Sequence, residues 1–160
     1  MRLFPKMKVM STQRYIYCWH APKIFAAKVG YAREPLGRMA MYADKYGVAY
    51  DRASWRCWAL PKDKIAQIEV IETRCHNALL FSGMERLELP GPWGGTSQEL
   101  FSLVGQPYAN ALEIVGAAIL DLPPPFYPDG TRIYSPELEF IDWPDDDHDD
   151  DGAEPLLFGR

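Results

Sequence analysis

RYIYCWHAPKIFAAKVGYAREPLGRMAMYADKYG, residues 14–47, decides the reading of this chain because each of its three runs carries a different periodicity. In the first run Tyr15 and Tyr17 alternate with Ile16 and Cys18, the period of a strand with two distinct faces. Ala21-Pro22-Lys23 interrupts it, and IFAAKVGY follows as a second apolar run closing on Gly30, so an antiparallel hairpin is the simplest pairing. The third run has Pro35 where a helix tolerates it best, in the first turn, and Gly47 where a left-handed cap ends one. Arg38 and Tyr42 stand four apart on one face of that helix. Gly37 inside it costs up to about 1 kcal/mol relative to alanine, which implies a close neighbour at that backbone position.

Downstream, WRCWAL (55–60) alternates large apolar residues with Arg56 and Ala59 and reads as a third strand stopped by Pro61. A longer helix is expected over residues 63–83, with Asp63 as its N-cap and Ile65, Ile68, Glu72, Cys75 and Leu79 near one stripe. Glu72 and His76 share a face as Glu-x-x-x-His. RLELPGPWGGTSQELFSL reads as a loop that becomes orderly from Ser97 and carries Glu99. YANALEIVGAAIL then reads as a last helix, with Ala109, Leu112, Val115 and Ile119 at helical spacing. The expected fold is α+β: a small central antiparallel three-stranded sheet flanked by helices, in the order β-β-α-β-α-α.

The formal charge of −5 is misleading as an average. Ten carboxylates and no Lys or Arg lie between Glu137 and Glu154, which leaves 16 basic against 12 acidic groups in residues 1–134. A basic body and an acidic tail are thus expected to meet near Leu122-Pro-Pro-Pro-Phe126, where consecutive prolines forbid helix. The division reads as an N-terminal extension (1–13), a folded domain (14–121), and a Pro-rich connector with an acidic tail (122–160). PDGTRIY (128–134) suits a turn and short strand, and disorder is expected from about Pro144. The tail suits a solubilising role or, anchored by Phe140, Ile141 and Trp143, contact with the basic face of the same chain or with a basic partner.

Three cysteines at irregular spacing argue against a disulfide framework, and buried thiols are the simpler reading. Pro5, Lys6 and Lys8 interrupt any secretory signal, and no apolar run suffices to cross a bilayer, so a cytoplasmic location is expected.

YIY at 15–17, then KVG at 28–30 after a ten-residue gap, resembles the paired strand motifs of the GIY-YIG nuclease superfamily. In that family an arginine lies eight residues beyond the second motif's glycine and a tyrosine one helical turn later, the places of Arg38 and Tyr42. Glu99, in TSQELF, is similar in context to the family's metal-binding glutamate on a later helix. The likeness covers residues 14–120 and is greatest to short phage- and plasmid-type nucleases with a KIG-like second motif and Glu-x-x-x-His on the second helix. The first motif's glycine is replaced by Arg14 or Tyr15, depending on register, and the second motif's tyrosine by Lys28.

The resemblance implies a metal-dependent DNA endonuclease with Tyr17, Arg38 and Glu99 at its centre. Mg²⁺ or Mn²⁺ on Glu99 would stabilise phosphoryl and leaving-group oxygens, and Arg38 would offer a planar charged fork to the non-bridging oxygens. Tyr17 is then the candidate general base, with Lys28 and Arg38 as cations able to favour its phenolate. Tyr31 and Tyr42 are candidates to hydrogen-bond the water or a phosphate oxygen. His76 either braces the site or accepts the proton itself. Arg33, Lys45, Arg52 and Arg56 are candidate phosphate contacts. Trp19, Trp58 and Trp93 would stack on unpaired bases if exposed, although core packing better suits the two in strands. Limited sequence specificity, with a preference for single strands or branches, is expected because no second recognition domain follows the body. The rival reading is a catalytically silent binding or regulatory protein on the same fold.

Overall fold

The computed structural model describes residues 13–90, 96–103 and 105–138. Strand β1 (Tyr15–Ala21) and β2 (Ala26–Ala32) form the expected hairpin, turned by a short 3₁₀ segment at Pro22–Ile24. Helix α1 (Pro35–Tyr46) follows, with Pro35 in its first turn and Gly47 at φ +66 as its left-handed cap. Then come β3 (Asp51–Ala59), a 3₁₀ segment at Lys62–Gln67, and α2 (Ile68–Phe81). The chain continues through β4 (Arg86–Pro90), β5 (Thr96–Ser102) and α3 (Tyr108–Ile119).

The sheet has five strands in the order β3-β1-β2-β5-β4, with every neighbouring pair antiparallel. This corrects the three-stranded expectation and the element order, since Arg86–Pro90 and Thr96–Ser102 form a strand pair. The Pro- and Gly-rich centre of that stretch, residues 91–95, lies outside the described residues. Leu87 and Leu89 alternate with charged residues as strand positions do, and Pro90 ends an edge strand, where a missing N–H costs no ladder bond. Glu99 therefore stands on a strand. The helix expected over 63–83 also begins later, at Ile68, and Asp63 makes no side-chain cap.

Burial follows the alternation of β1. Ile16 and Cys18 join Ala27, Val29, Trp58 and Phe101 under α2 and α3, whose Ile71, Cys75, Leu79, Ile114 and Val115 fill that core. Tyr17 and Trp19 face the other way, into a second core with Met39 of α1, Val48, Trp55, Cys57 and Leu100. Helix α3 turns in Asn110, Ala111, Ile114 and Ala118 along with Val115, while Ala109 is exposed. It is apolar on most sides, so spacing alone does not select its buried stripe. No neighbour crowds Gly37, where an added Cβ would meet nothing nearer than Glu34 Oε1 at 4.0 Å. The close approach expected there is absent among the described residues.

The segment opened by the three prolines packs on the body, so the packed unit extends beyond residue 121. Phe126 is buried in the α2–α3 core and bridges to Arg132, whose guanidinium holds both oxygens of Glu113 on α3 at 2.8 and 2.9 Å. Leu138 lies against Gly116 so closely that a Cβ there would come within 2.9 Å of its methyl groups. The stretch from Glu139 and the anchors Phe140, Ile141 and Trp143 lie outside the described residues, as do Trp93 and the disorder expected from Pro144. All three cysteines are buried and free. No described helix is long and apolar enough to cross a membrane.

Candidate functional site

The register of β1 on β2 sets Tyr17 opposite Gly30 and Trp19 opposite Lys28, so Tyr17, Lys28 and Gly30 share the α1 face of the sheet. Lys28 is 1% exposed, a costly place for an ammonium unless it is paired. Its Nζ donates to Tyr17 Oη at 3.0 Å and forms a short ion pair with Glu99 Oε1. It also lies 4.9 Å from the centre of the Tyr17 ring and 4.5 Å from that of Tyr42, where aromatic faces stabilise a desolvated cation. Gly30 is the floor beneath this group. A Cβ at residue 30 would stand 2.9 Å from each of Glu99 Oε1, Lys28 Nζ and Tyr17 Oη.

Glu99 reaches this floor because β5 leaves β2. Their pairing runs Ala26↔Ser102, Ala27↔Phe101 and Lys28↔Leu100 and stops. On its other side β5 changes register against β4 between Leu87↔Leu100 and Leu89↔Ser97, so Gln98 and Glu99 together oppose Glu88. Such a bulge re-aims a side chain and ends pairing. Beyond Lys28 the flank of β2 is lined by α2. His76 Nε2 lies 3.0 Å from the Val29 carbonyl oxygen, Glu72 sits beside Glu99, and Glu69 Oε2 accepts a hydrogen bond from Tyr31 Oη at 3.1 Å. Glu69, Glu72 and His76 are three and four apart, so one helix stripe supplies all three.

Protonation follows from burial. The Tyr17 hydroxyl is pushed above its ordinary range by burial, which outweighs the opposing pull of Lys28 and Arg38. The expected lowering does not occur, because a site dry enough to hold Lys28 also penalises phenolate. Burial pulls Lys28 down, but Tyr17 and Glu99 together outweigh it and hold its affinity for the proton above the ordinary value. Burial, followed by the charge of Glu99, raises Glu72 to about 7. His76 is lowered by burial, which favours neutral imidazole. Since a carbonyl only accepts, the His76 nitrogen facing Val29 carries the proton and cannot also take one. This favours bracing over proton transfer at that nitrogen. The Tyr42 hydroxyl is raised by burial, and its oxygen has no hydrogen-bond partner among the described residues.

Arg38 is exposed on α1, where its charge acts on both Tyr17 and Tyr31. Arg33 and Lys45 are exposed before and after it, and Lys45 lies over the Tyr46 ring at 5.3 Å. Arg52 is exposed at the start of β3. Arg56 is set apart from Arg38 and Lys45 of α1. It pairs with Cys18, on the α2–α3 face, and its guanidinium donates to the Trp55 carbonyl at 2.8 Å. Trp19 and Trp58 are 0% and 5% exposed and pack in the two cores, where no base can reach them.

Glu72 is the residue that sequence reasoning left out of the site. Its Glu-x-x-x-His spacing was the signal, but its neighbour Glu99 comes from a distant strand. The oxygen donors open to a divalent cation here are the adjacent carboxylates of Glu99 and Glu72, and Mg²⁺ is commonly held by one or two carboxylates with water and substrate phosphate completing its shell. Glu99 is 36% exposed, and beside it Glu72 Oε2 is buried with no hydrogen-bond partner among the described residues. No closed cage of three or more His, Cys, Asp or Glu groups forms among the described residues. No protein-family model, curated protein or solved structure matches the chain.

Proposed function

We propose that the chain is a metal-dependent DNA endonuclease that hydrolyses phosphodiester bonds with a site of GIY-YIG type. The observation that carries this reading is the convergence of Tyr17 Oη, Lys28 Nζ and Glu99 Oε1 over Gly30, beside the exposed Arg38. Phosphodiester hydrolysis needs an oriented water, countercharge for the phosphoryl oxygens and stabilisation of the leaving 3′ oxygen. The chain has a group suited to each of the first two. Arg38 offers a bidentate fork to the non-bridging oxygens, with Arg33 and Lys45 extending positive charge along the backbone. The Tyr17 oxygen accepts from Lys28, and because its side chain is 0% exposed its O–H is placed to orient a water lodged within the site and not a phosphate oxygen of the substrate. Tyr17 serves here as an orienting hydroxyl, and any phenolate formed during proton transfer would be stabilised by the adjoining ammonium. Glu99, with Glu72 beside it, would hold Mg²⁺ or Mn²⁺, which when bound supplies Lewis-acid stabilisation of developing negative charge.

The substrate is proposed to be DNA chosen by shape, such as single strands or branches, with little readout of sequence. The test compares cutting of single-stranded, duplex and branched DNA with Mg²⁺, with Mn²⁺ and with chelator, for wild type, Arg38→Ala and Glu99→Gln. Circular dichroism establishes folding in parallel. Metal-dependent cutting lost in both folded variants is the expected result. DNA binding with no metal-dependent cutting by wild type would sink the enzyme reading and favour the silent binding protein.

A further inference from the structure

Along β2, outward-facing backbone groups alternate with inward-facing ones. The Leu103 amide donates to the Phe25 carbonyl at 2.9 Å, and Ala27↔Phe101 lies two residues further along. Residues 25, 27 and 29 therefore turn their backbone groups toward β5. One more step of the same ladder would set Val29 against Glu99. The ladder stops at Lys28↔Leu100, because the bulge carries Glu99 into the site. The Val29 carbonyl would then be a buried acceptor without a donor, an arrangement proteins rarely tolerate.

His76 meets that carbonyl at 3.0 Å. Its ring, 8% exposed, packs 4.9 Å from the ring of Phe101, close to where β5 last pairs with β2. One turn earlier on the same helix, Glu72 adjoins Glu99. We infer that His76 is a positioning residue: its Nε2–H takes the place of the ladder bond that β5 gives up, and so holds open the gap in which Glu99 meets Lys28. Its effect on catalysis rests on the nuclease reading, but its effect on the Glu99–Lys28 pair does not. A side-chain donor here permits what a continuous ladder would forbid. With Glu99 paired to Val29 as an ordinary strand residue, its side chain would project to the α2–α3 face, opposite the α1 face of Lys28, because residues on one strand alternate.

The first measurement uses unaltered protein. Nitrogen-15 spectra of the histidine rings at neutral pH are expected to show His76 as the Nε2–H tautomer with a slowly exchanging ring proton. The Nδ1–H tautomer would overturn the assignment. The second follows the Lys28 ammonium resonance, which a desolvated ion pair keeps visible and slowly exchanging. His76→Ala is expected to abolish that signal, and His76→Gln, whose amide nitrogen stands near the place of Nε2, to restore it. A folded His76→Ala protein with an unchanged Lys28 signal would overturn the proposal. Should His76→Ala not fold, the tautomer and His76→Gln decide, and loss of the Lys28 signal in folded His76→Gln counts against it. In the cleavage assay His76→Ala should lower kcat about a hundredfold, the scale of a small misplacement, with KM little changed and recovery in His76→Gln. A wild type that cuts no DNA removes the nuclease reading and leaves both spectroscopic results standing.

Discussion

The two halves of strand β2 are built from similar residues and end up in opposite circumstances. From Ala26 to Lys28 the backbone pairs with β1 on one side and β5 on the other. From Val29 to Ala32 it keeps β1, but its other flank is lined by Glu69, Glu72 and His76 of α2. Backbone pairing makes the first half a continuous platform. Side chains satisfy the second half more sparsely, and the room they leave admits Glu99 over Gly30. A sheet can thus acquire a cluster of buried polar groups without a new loop, by ending one ladder early and letting a neighbouring helix satisfy what is exposed.

The largest test of this contrast removes the countercharge from the open half. Glu99→Ala leaves the Lys28 ammonium, 1% exposed, without its carboxylate. Thermal or urea unfolding should show a loss of about 3 kcal/mol, the low end for an uncompensated buried charge, because Glu99 itself is partly exposed. The double variant Lys28→Met, Glu99→Leu should regain most of it, since well-packed apolar replacements of buried ion pairs are commonly neutral.

Gly30→Ala probes the floor. Its Cβ has no room beneath the three polar atoms 2.9 Å away, and a cost of about 1–3 kcal/mol is expected from overpacking. Cleavage, if the nuclease reading holds, should fall about a hundredfold or more. Ala27→Gly in the paired half should lower stability by about 1 kcal/mol through backbone entropy and leave the geometry of the site intact. Equal losses of cutting in the two variants would erase the distinction between the halves.

Glu72 adds a pH signature to the open half. Its affinity for a proton is raised on folding, from the ordinary 4.5 to about 7. The folded protein therefore binds more protons than the unfolded chain between those values, and stability falls as pH rises through that window. The decline is on the order of 2 kcal/mol and should largely vanish in Glu72→Gln, as read from urea midpoints between pH 4.5 and 7.5. His76 and His20, both lowered by burial, act with the opposite sign and withdraw stability as pH falls below about 6.5.

The smallest effect is chemical. Cys18, pushed up to about 12 by burial, and Cys75, raised by the same cause, should resist thiol reagents in the native protein and react at full rate only in denaturant. Reaction of Cys18 in the folded protein would show that the platform beside the paired half opens more readily than its burial implies.

Much of this was legible in the sequence where the signal is local. Period-two alternation across Tyr15–Cys18, Pro35 at a helix start and Gly47 at its end each act within a few residues, and they give β1, β2 and α1 almost to the residue. The pairing of β4 with β5 was hidden because the prolines and glycines between the two strands dominate the reading of that stretch as a loop. The bulge leaves no trace in composition, so Glu99, read as lying where a loop becomes orderly, is found on a strand. Arg56 was grouped with the exposed basic residues, but its register opposite Cys18 places it on the α2–α3 face. Glu72 was seen beside His76 but not beside Glu99, since their meeting depends on how far β5 follows β2. Lys28 and Arg38 are cations able to favour the Tyr17 phenolate, and the burial that opposes this is a property of the assembled core.

The clasp formed by Phe126, Arg132 and Leu138 has a bearing on modularity. Pro123, Pro124 and Pro125 look like the place to splice this unit to another, yet the packed body continues to Leu138, and a junction at the prolines would unseat an aromatic side chain from beneath α2 and α3. The chain leaves its last described contact against α3, whereas Arg38 stands on α1 across the sheet. A passenger joined after Leu138 would begin on the side of the sheet away from Arg38, like a handle fixed behind a blade.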